Sequence, residues 1–147
     1  MKYPSYFVSK PRMSKERMIL MSIDSKVKRI RTVLKAGSIV FGLSALALVI
    51  TPQIFNSLLG FASTVELEWS MRMIGITLIA LAGNMFSVST RGKDETVIFS
   101  GRVMLVSAFA LGVLTLLIPA TLNWFTISYS LVGFGFSAAY AQALYRK

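Results

Sequence analysis

The sequence predicts an all-α integral membrane protein, a four-helix bundle with an N-terminal basic amphipathic helix. Hydrophobic residues make up 54% of the chain, and residues 103–145 contain no charged residue and no histidine. Of the 16 Lys and Arg residues, 10 lie in residues 1–35, whereas residues 36–65 carry no charge. A soluble domain of 147 residues has too much surface to leave such stretches uncharged. A bilayer requires them, because it excludes charge from a span of about 20 residues.

Residues 1–32 are predicted to form a cytoplasmic basic segment. From residue 13 onward apolar residues recur at the spacing of one helical stripe. These are Leu20, Ile23, Val27, Ile30 and Leu34. Lys26, Lys28, Arg29 and Arg31 lie mostly on the other faces and form a candidate surface for anionic lipid headgroups or a partner. The alternative is that the apolar stripe packs against the protein's own bundle or another chain.

Four spans are predicted within a transmembrane domain at 33–145. They cover residues 33–51, 69–88, 96–119 and 124–144, and residues 146–147 form a cytoplasmic tail. Pro52 ends the first span, and a break at residues 119–123 separates the third from the fourth. Whether residues 52–68 form an interfacial helix is left open by the sequence.

The basic residues predict both termini in the cytoplasm. With an even number of spans, 15 of the 16 Lys and Arg residues fall on one side and only Arg72 on the other. Basic residues near spans stay in the cytoplasm, and tryptophans gather at membrane interfaces. Trp69 and Trp124 would then both lie at the outer interface. We therefore expect a protein of the inner or plasma membrane.

Small residues at four-residue spacing predict close helix packing. In the fourth span they are Gly133, Ser137 and Ala141, and also Gly135 and Ala139; in the second they are Gly83 and Ser87. This spacing places small side chains on one helical face, where a neighbouring backbone can approach. These faces pack either against the protein's own helices or against another subunit or a second copy of the chain.

Three polar residues within the predicted spans are candidates for lining a polar path. Asn84, Thr115 and Ser128 are the candidate polar lining; such residues either bond to neighbouring helices or line a polar path. Glu68 and Arg72 are four residues apart at the outer start of the second span, and we expect an ion pair. The alternative for Arg72 is an outward-facing site for an anion.

Several classes of function are disfavoured by absent residues. The chain has no cysteine and no histidine, which removes disulfides, the usual zinc sites, histidine-ligated haem and Ser-His-Asp catalysis. No Gly-rich phosphate loop is present, and no carboxylate lies within a predicted span. We expect no enzymatic activity, no cofactor and no metal. Segregation of the basic residues to one end also argues against nucleic acid as a partner.

The four-span plan, with Arg72-Met73-Ile74-Gly75 opening the second span, resembles the DoxX-like class of small bacterial membrane proteins. The resemblance covers residues 33–145 and implies no activity, and the long basic N-terminal helix departs from that class. We expect a non-enzymatic accessory or structural subunit of a membrane complex, in contact with lipid and with other subunits or itself. The alternative is a small homo-oligomeric transporter or channel.

Overall fold

The computed structural model describes residues 15–146, which form five α-helices and no strand. In chain order they are α1 (Lys15–Ile50), α2 (Pro52–Leu58), α3 (Val65–Arg91), α4 (Asp94–Leu116) and α5 (Trp124–Tyr145). The predicted all-α fold is confirmed. Within this part of the chain α1, α3 and α4 are long and apolar enough to cross a membrane. The 22 residues of α5 carry no charge.

From Lys15 onward the predicted basic segment and the first predicted span form one uninterrupted helix. α1 has 36 residues, so it is about 54 Å long at 1.5 Å per residue, well beyond a hydrocarbon core of roughly 30 Å. Residues 15–25 are exposed, and burial begins at Val27. On the predicted stripe Leu20 and Ile23 are exposed, whereas Val27, Ile30 and Leu34 are buried in the bundle. Residues 1–14 and 147, which include parts of the predicted basic segment and tail, lie outside the described residues.

Capping residues explain where two helices begin. α3 starts at Val65, before the predicted residue 69, because the Thr64 hydroxyl accepts a hydrogen bond from the Leu67 N–H at 3.2 Å. α5 starts at Trp124 because Asn123 Oδ1 accepts from the Thr126 N–H at 2.9 Å. The second polar group of Asn123, its Nδ2, donates to the Leu58 carbonyl at 2.7 Å and ties α5 to the end of α2.

The helices pack as two pairs. α1 packs mainly against α3 and α4 mainly against α5, while α1 also contacts α4 and α5. α3 and α4 make few contacts and leave a cleft between them. The main core consists of Val27, Ile30, Leu34, Met85, Val97, Met104, Tyr140, Ala143 and Leu144.

The bundle has two chemically distinct ends. The basic end contains Arg29 and Arg31 of α1, the turn between α3 and α4, and the C-terminus of α5. The tryptophan end contains α2 and the two exposed tryptophans, Trp69 and Trp124, at the N-termini of α3 and α5. The core cluster lies toward the basic end.

Candidate functional site

At the basic end Arg31 joins α1 to the turn between α3 and α4. Its guanidinium donates hydrogen bonds to the carbonyls of Ser89 at 3.1 Å and Gly92 at 2.7 Å, and it pairs with the Asp94 carboxylate at 3.2 Å. Ser89 lies in the last turn of α3 and Gly92 is its C-cap, where unpaired carbonyls concentrate partial negative charge. Arg31 therefore stabilises a helix end of its own bundle.

Arg29 acts similarly toward α5. Its Nη2 donates to the carbonyl of Arg146, the C-cap residue of α5, at 3.1 Å. The Nε of Arg29 is buried and has no hydrogen-bond partner among the described residues. Lys28 is exposed and Lys26 half-buried. Two of the four residues predicted to form a lipid or partner surface thus also bond to the protein itself, whereas the side chains of Lys26 and Lys28 form no hydrogen bond to a described residue.

A polar cluster at the tryptophan end is centred on Glu68. Its Oε2 accepts a hydrogen bond from Gln53 Nε2 at 2.6 Å, and its Oε1 accepts from the Ser63 hydroxyl at 3.2 Å. Arg72 lies 4.0 Å from the same carboxylate, at the limit of an ion pair, and its side chain is 47% exposed. The predicted pair therefore exists, but Gln53 and Ser63 hold the carboxylate more closely.

Asn56 extends this cluster into the interior. It is fully buried in α2, and its Nδ2 donates to the Ser63 hydroxyl at 3.3 Å, while its Oδ1 has no partner among residues 15–146. The sequence analysis missed Gln53, Asn56 and Ser63, because helical periodicity does not indicate which residues of α2 and of the following loop lie next to α3. The cluster anchors α2 to the start of α3.

Glu66 lies beside this cluster but is fully exposed. Hydrogen bonds from its own backbone N–H and from the Thr64 side chain hold the pKa of its carboxyl below the ordinary value. The charged form of Glu66 is therefore favoured at the N-terminus of α3, where the helix dipole also favours a negative charge. This arrangement stabilises the start of the helix.

The three residues predicted as a polar lining do not meet. Asn84 is exposed on α3 and lines the cleft against α4, opposite Ser100. Thr115 is buried on α4 and donates to the Leu111 carbonyl at 2.7 Å. Ser128 is exposed on α5 and donates to the carbonyl of Trp124 at 2.8 Å. Within one copy of the chain, no two of Asn84, Thr115 and Ser128 therefore line the same path.

The Asn84 amide differs from the other two groups because no described residue hydrogen-bonds to it. The cleft that it lines has a volume of about 190 Å³, and its walls are otherwise apolar except for Ser100. Gly83 and Ser87, the small residues predicted for packing on this helix, are exposed, and nothing lies within 4 Å of a Cβ built at Gly83. Together these residues form an outward face of α3, hereafter the Asn84 face.

The small residues of α5 divide between an inner and an outer face. A Cβ built at Gly133 would lie 2.9 Å from the backbone nitrogen of Gly112, so α4 and α5 touch there through their backbones. Ser137 donates to the carbonyl of Leu105 at 3.1 Å on the same face. By contrast Gly135 is exposed, with nothing within 4 Å of a built Cβ.

Among the remaining small residues of α5, a serine joins the contact with α4. Ala139 and Ala141 are half-buried. The buried Ser130, which sequence reasoning missed, donates to the Gly112 carbonyl at 2.9 Å. It precedes Gly133 by three residues and Ser137 by seven, a helical spacing that would have placed it on the same face.

Within residues 15–146 no group of three acidic side chains lies close enough to bind a metal.

Comparison of the chain with protein-family models, with curated proteins and with solved structures gives no match in any of the three. The architectural resemblance to the DoxX-like class thus has no support from a family model.

Proposed function

We propose that the protein is a four-span, non-enzymatic accessory or structural subunit of a membrane complex, with both termini in the cytoplasm. The antiparallel packing of α5 against α4 supports a fourth crossing, because the uncharged α5 lies alongside a helix that is apolar enough to span. The charges support the orientation, because Arg29, Arg31 and Arg146 gather at one end. Basic residues next to spans favour the cytoplasm.

The observation that carries the subunit role is the Asn84 face. The Asn84 amide has no hydrogen-bond partner within residues 15–146 and lies about 10 Å from the end of α3 at Arg91, at 1.5 Å per residue. An unpaired amide at that depth of a bilayer is unfavourable. Gly83 and Ser87 would allow another helix to come close beside it, so that the amide finds a partner. We therefore propose that a helix of another subunit packs on this face.

Extraction in mild detergent tests the proposal. The protein should co-purify with unlike chains at a fixed stoichiometry. Asn84→Leu should reduce the recovered partner about fivefold, since one interhelical hydrogen bond in a membrane contributes about 1 kcal/mol. The control is Ser128→Leu, because Ser128 is exposed on α5 and its hydroxyl bonds within its own helix. Recovery as a lone monomer, or equal partner recovery from both variants, would contradict the proposal.

The alternative is a homo-oligomeric transporter or channel, and the open cleft between α3 and α4 is the observation that favours it. In an oligomer, Asn84 and Ser100 of several copies would face one another, whereas Thr115 and Ser128 lie elsewhere in the protomer. Purified protein in liposomes should then raise the flux of a solute or ion, and Asn84→Leu should change that flux. Vesicles that stay tight to every solute tested would exclude this alternative.

A further inference from the structure

A second feature at the basic end is the cavity between the start of the packed part of α1 and the last turns of α5. It has a volume of about 260 Å³. It is lined by Arg29, Thr32 and Val33 of α1 and by Ala139, Gln142, Ala143 and Arg146 of α5. We propose that this cavity binds the phosphate of an anionic phospholipid; its assignment to a lipid of the cytoplasmic leaflet rests on the proposed function.

Charge is the first argument. The lining residues include two arginines and no acidic residue. The two ion pairs found among the described residues are Arg31 with Asp94 and Arg72 with Glu68, so neither lining arginine has a carboxylate partner. The carbonyl of Arg146 satisfies a single donor of Arg29. A phosphate would supply the missing negative charge.

Unused donors are the second argument. A guanidinium has five N–H groups arranged to meet phosphate oxygens in pairs. Arg29 uses one of them on the Arg146 carbonyl, and its buried Nε has no partner in the described part of the chain. The buried Nε is closed to solvent, whereas Nη2 makes an exposed contact. The remaining N–H groups of the outer guanidinium nitrogens are therefore the donors that an oxyanion in the cavity would meet. The Gln142 side chain, also on the lining, forms no hydrogen bond to a described residue.

The order of the lining favours a lipid over free phosphate. Arg29 and Arg146 lie on the side away from the membrane interior, and Val33 and Ala139 lie toward it. Phospholipids have the same order, with a charged phosphate outside and apolar chains inside. Inorganic phosphate has no apolar part that could contact Val33 and Ala139. The cavity therefore matches a headgroup whose glycerol and chains continue into the bilayer.

Native mass spectrometry of the full chain in mild detergent tests the inference, with phosphatidylglycerol and phosphatidylcholine of identical acyl chains as probes. We expect the wild type to retain phosphatidylglycerol at least about tenfold better, since two arginines contribute to the site. Arg29→Gln combined with Arg146→Gln should remove the preference. The matched control is Lys35→Gln, since Lys35 is an exposed basic residue on another face of α1.

Three results would overturn the proposal. The first is equal retention of the two lipids by the wild type, and the second is an unchanged preference in the double variant. The third is displacement of phosphatidylglycerol by inorganic phosphate, which would assign the site to free phosphate. If the double variant fails to fold, judged by circular dichroism, a photo-crosslinking residue at Gln142 replaces it. That residue should capture phosphatidylglycerol over phosphatidylcholine, and equal capture would refute the proposal.

Failure of the proposed function gives a different result. Because the sequence has no cysteine, Lys147→Cys introduces the single thiol of this protein, which can be labelled in intact cells and read after purification. Labelling from outside would reject the cytoplasmic orientation. The lipid preference and its loss in the double variant are measured in detergent and do not depend on orientation, so the two inferences can fail separately.

Discussion

Gly133→Ala should destabilise the bundle, whereas Gly135→Ala should not. A methyl group at residue 133 would lie 2.9 Å from the nitrogen of Gly112, 3.0 Å from its Cα and 3.1 Å from the oxygen of Ala108. Ordinary contacts are about 3.5–4.0 Å. All three atoms belong to the α4 backbone, so α4 and α5 must move apart by about 0.5–1 Å to restore that separation. The movement also stretches the hydrogen bond from Ser130 to the Gly112 carbonyl, which is 2.9 Å long.

The magnitude follows from two opposing terms. Overpacking costs about 1–3 kcal/mol, and replacing Gly by Ala within a helix returns about 1 kcal/mol. Gly133→Ala should therefore lose up to about 2 kcal/mol of unfolding free energy. Gly135→Ala receives only the favourable term, because nothing lies within 4 Å of the added carbon. The two variants should differ by about 1–3 kcal/mol.

Titration from mild detergent into SDS, followed by far-ultraviolet circular dichroism, measures this difference. Both substitutions add the same methyl group to the same helix, so effects of propensity cancel in the comparison. Equal midpoints for the two variants would refute the inference that α4 and α5 meet through their backbones at Gly133. A Gly133→Ala variant that is more stable than Gly135→Ala would refute it more strongly.

Three further predictions concern the helix ends. Arg31→Met should lose about 2 kcal/mol in the same titration, since it removes charged hydrogen bonds to α3; the exposed Arg91→Met is the control, and equal losses would contradict this role. Asn123→Ala should lose about 1–2 kcal/mol with the N-cap of α5, and an unchanged midpoint would refute the cap. By NMR Glu66 should titrate below the ordinary pKa of a glutamate, and Thr64→Val should raise that pKa. Because the pKa of Glu66 is lower in the folded protein, its charged form stabilises the fold at pH values above the ordinary pKa of a glutamate. This stabilisation is lost as the pH falls through the lowered pKa. An unshifted Glu66 titration would contradict the prediction.

The fold class was predictable because burial in lipid leaves a strong compositional trace. Uncharged stretches of span length are visible in the composition, and the stripe from Val27 to Leu34 is visible in the spacing of apolar residues. Composition does not predict the continuity of α1, although no proline or glycine interrupts residues 15–36. The basic residues indicate a surface segment, but they do not determine whether that segment and the first span form one helix.

Site residues were harder to predict because their contacts are long-range. Lys28 and Arg31 look alike in the sequence, but Arg31 contacts carbonyls at residues 89 and 92, and only the packing of α1 on α3 brings these groups together. The same holds for Gly133 and Gly135. Both glycines belong to four-residue repeats of small residues. Gly133 is buried because it faces α4, whereas nothing lies within 4 Å of a Cβ built at Gly135.

The arginines also change how the basic charge should be interpreted. Counting Lys and Arg predicts orientation because every basic residue near a span contributes to it. Arg29 and Arg31 nevertheless direct donors at the C-terminal carbonyls of α5 and α3, where partial negative charge collects. Under the proposed topology the same residues would therefore favour the cytoplasmic side and also stabilise the C-terminal ends of two helices. Substitution by lysine would keep the charge but lose the paired donors. Orientation should therefore survive Arg31→Lys, whereas stability should fall.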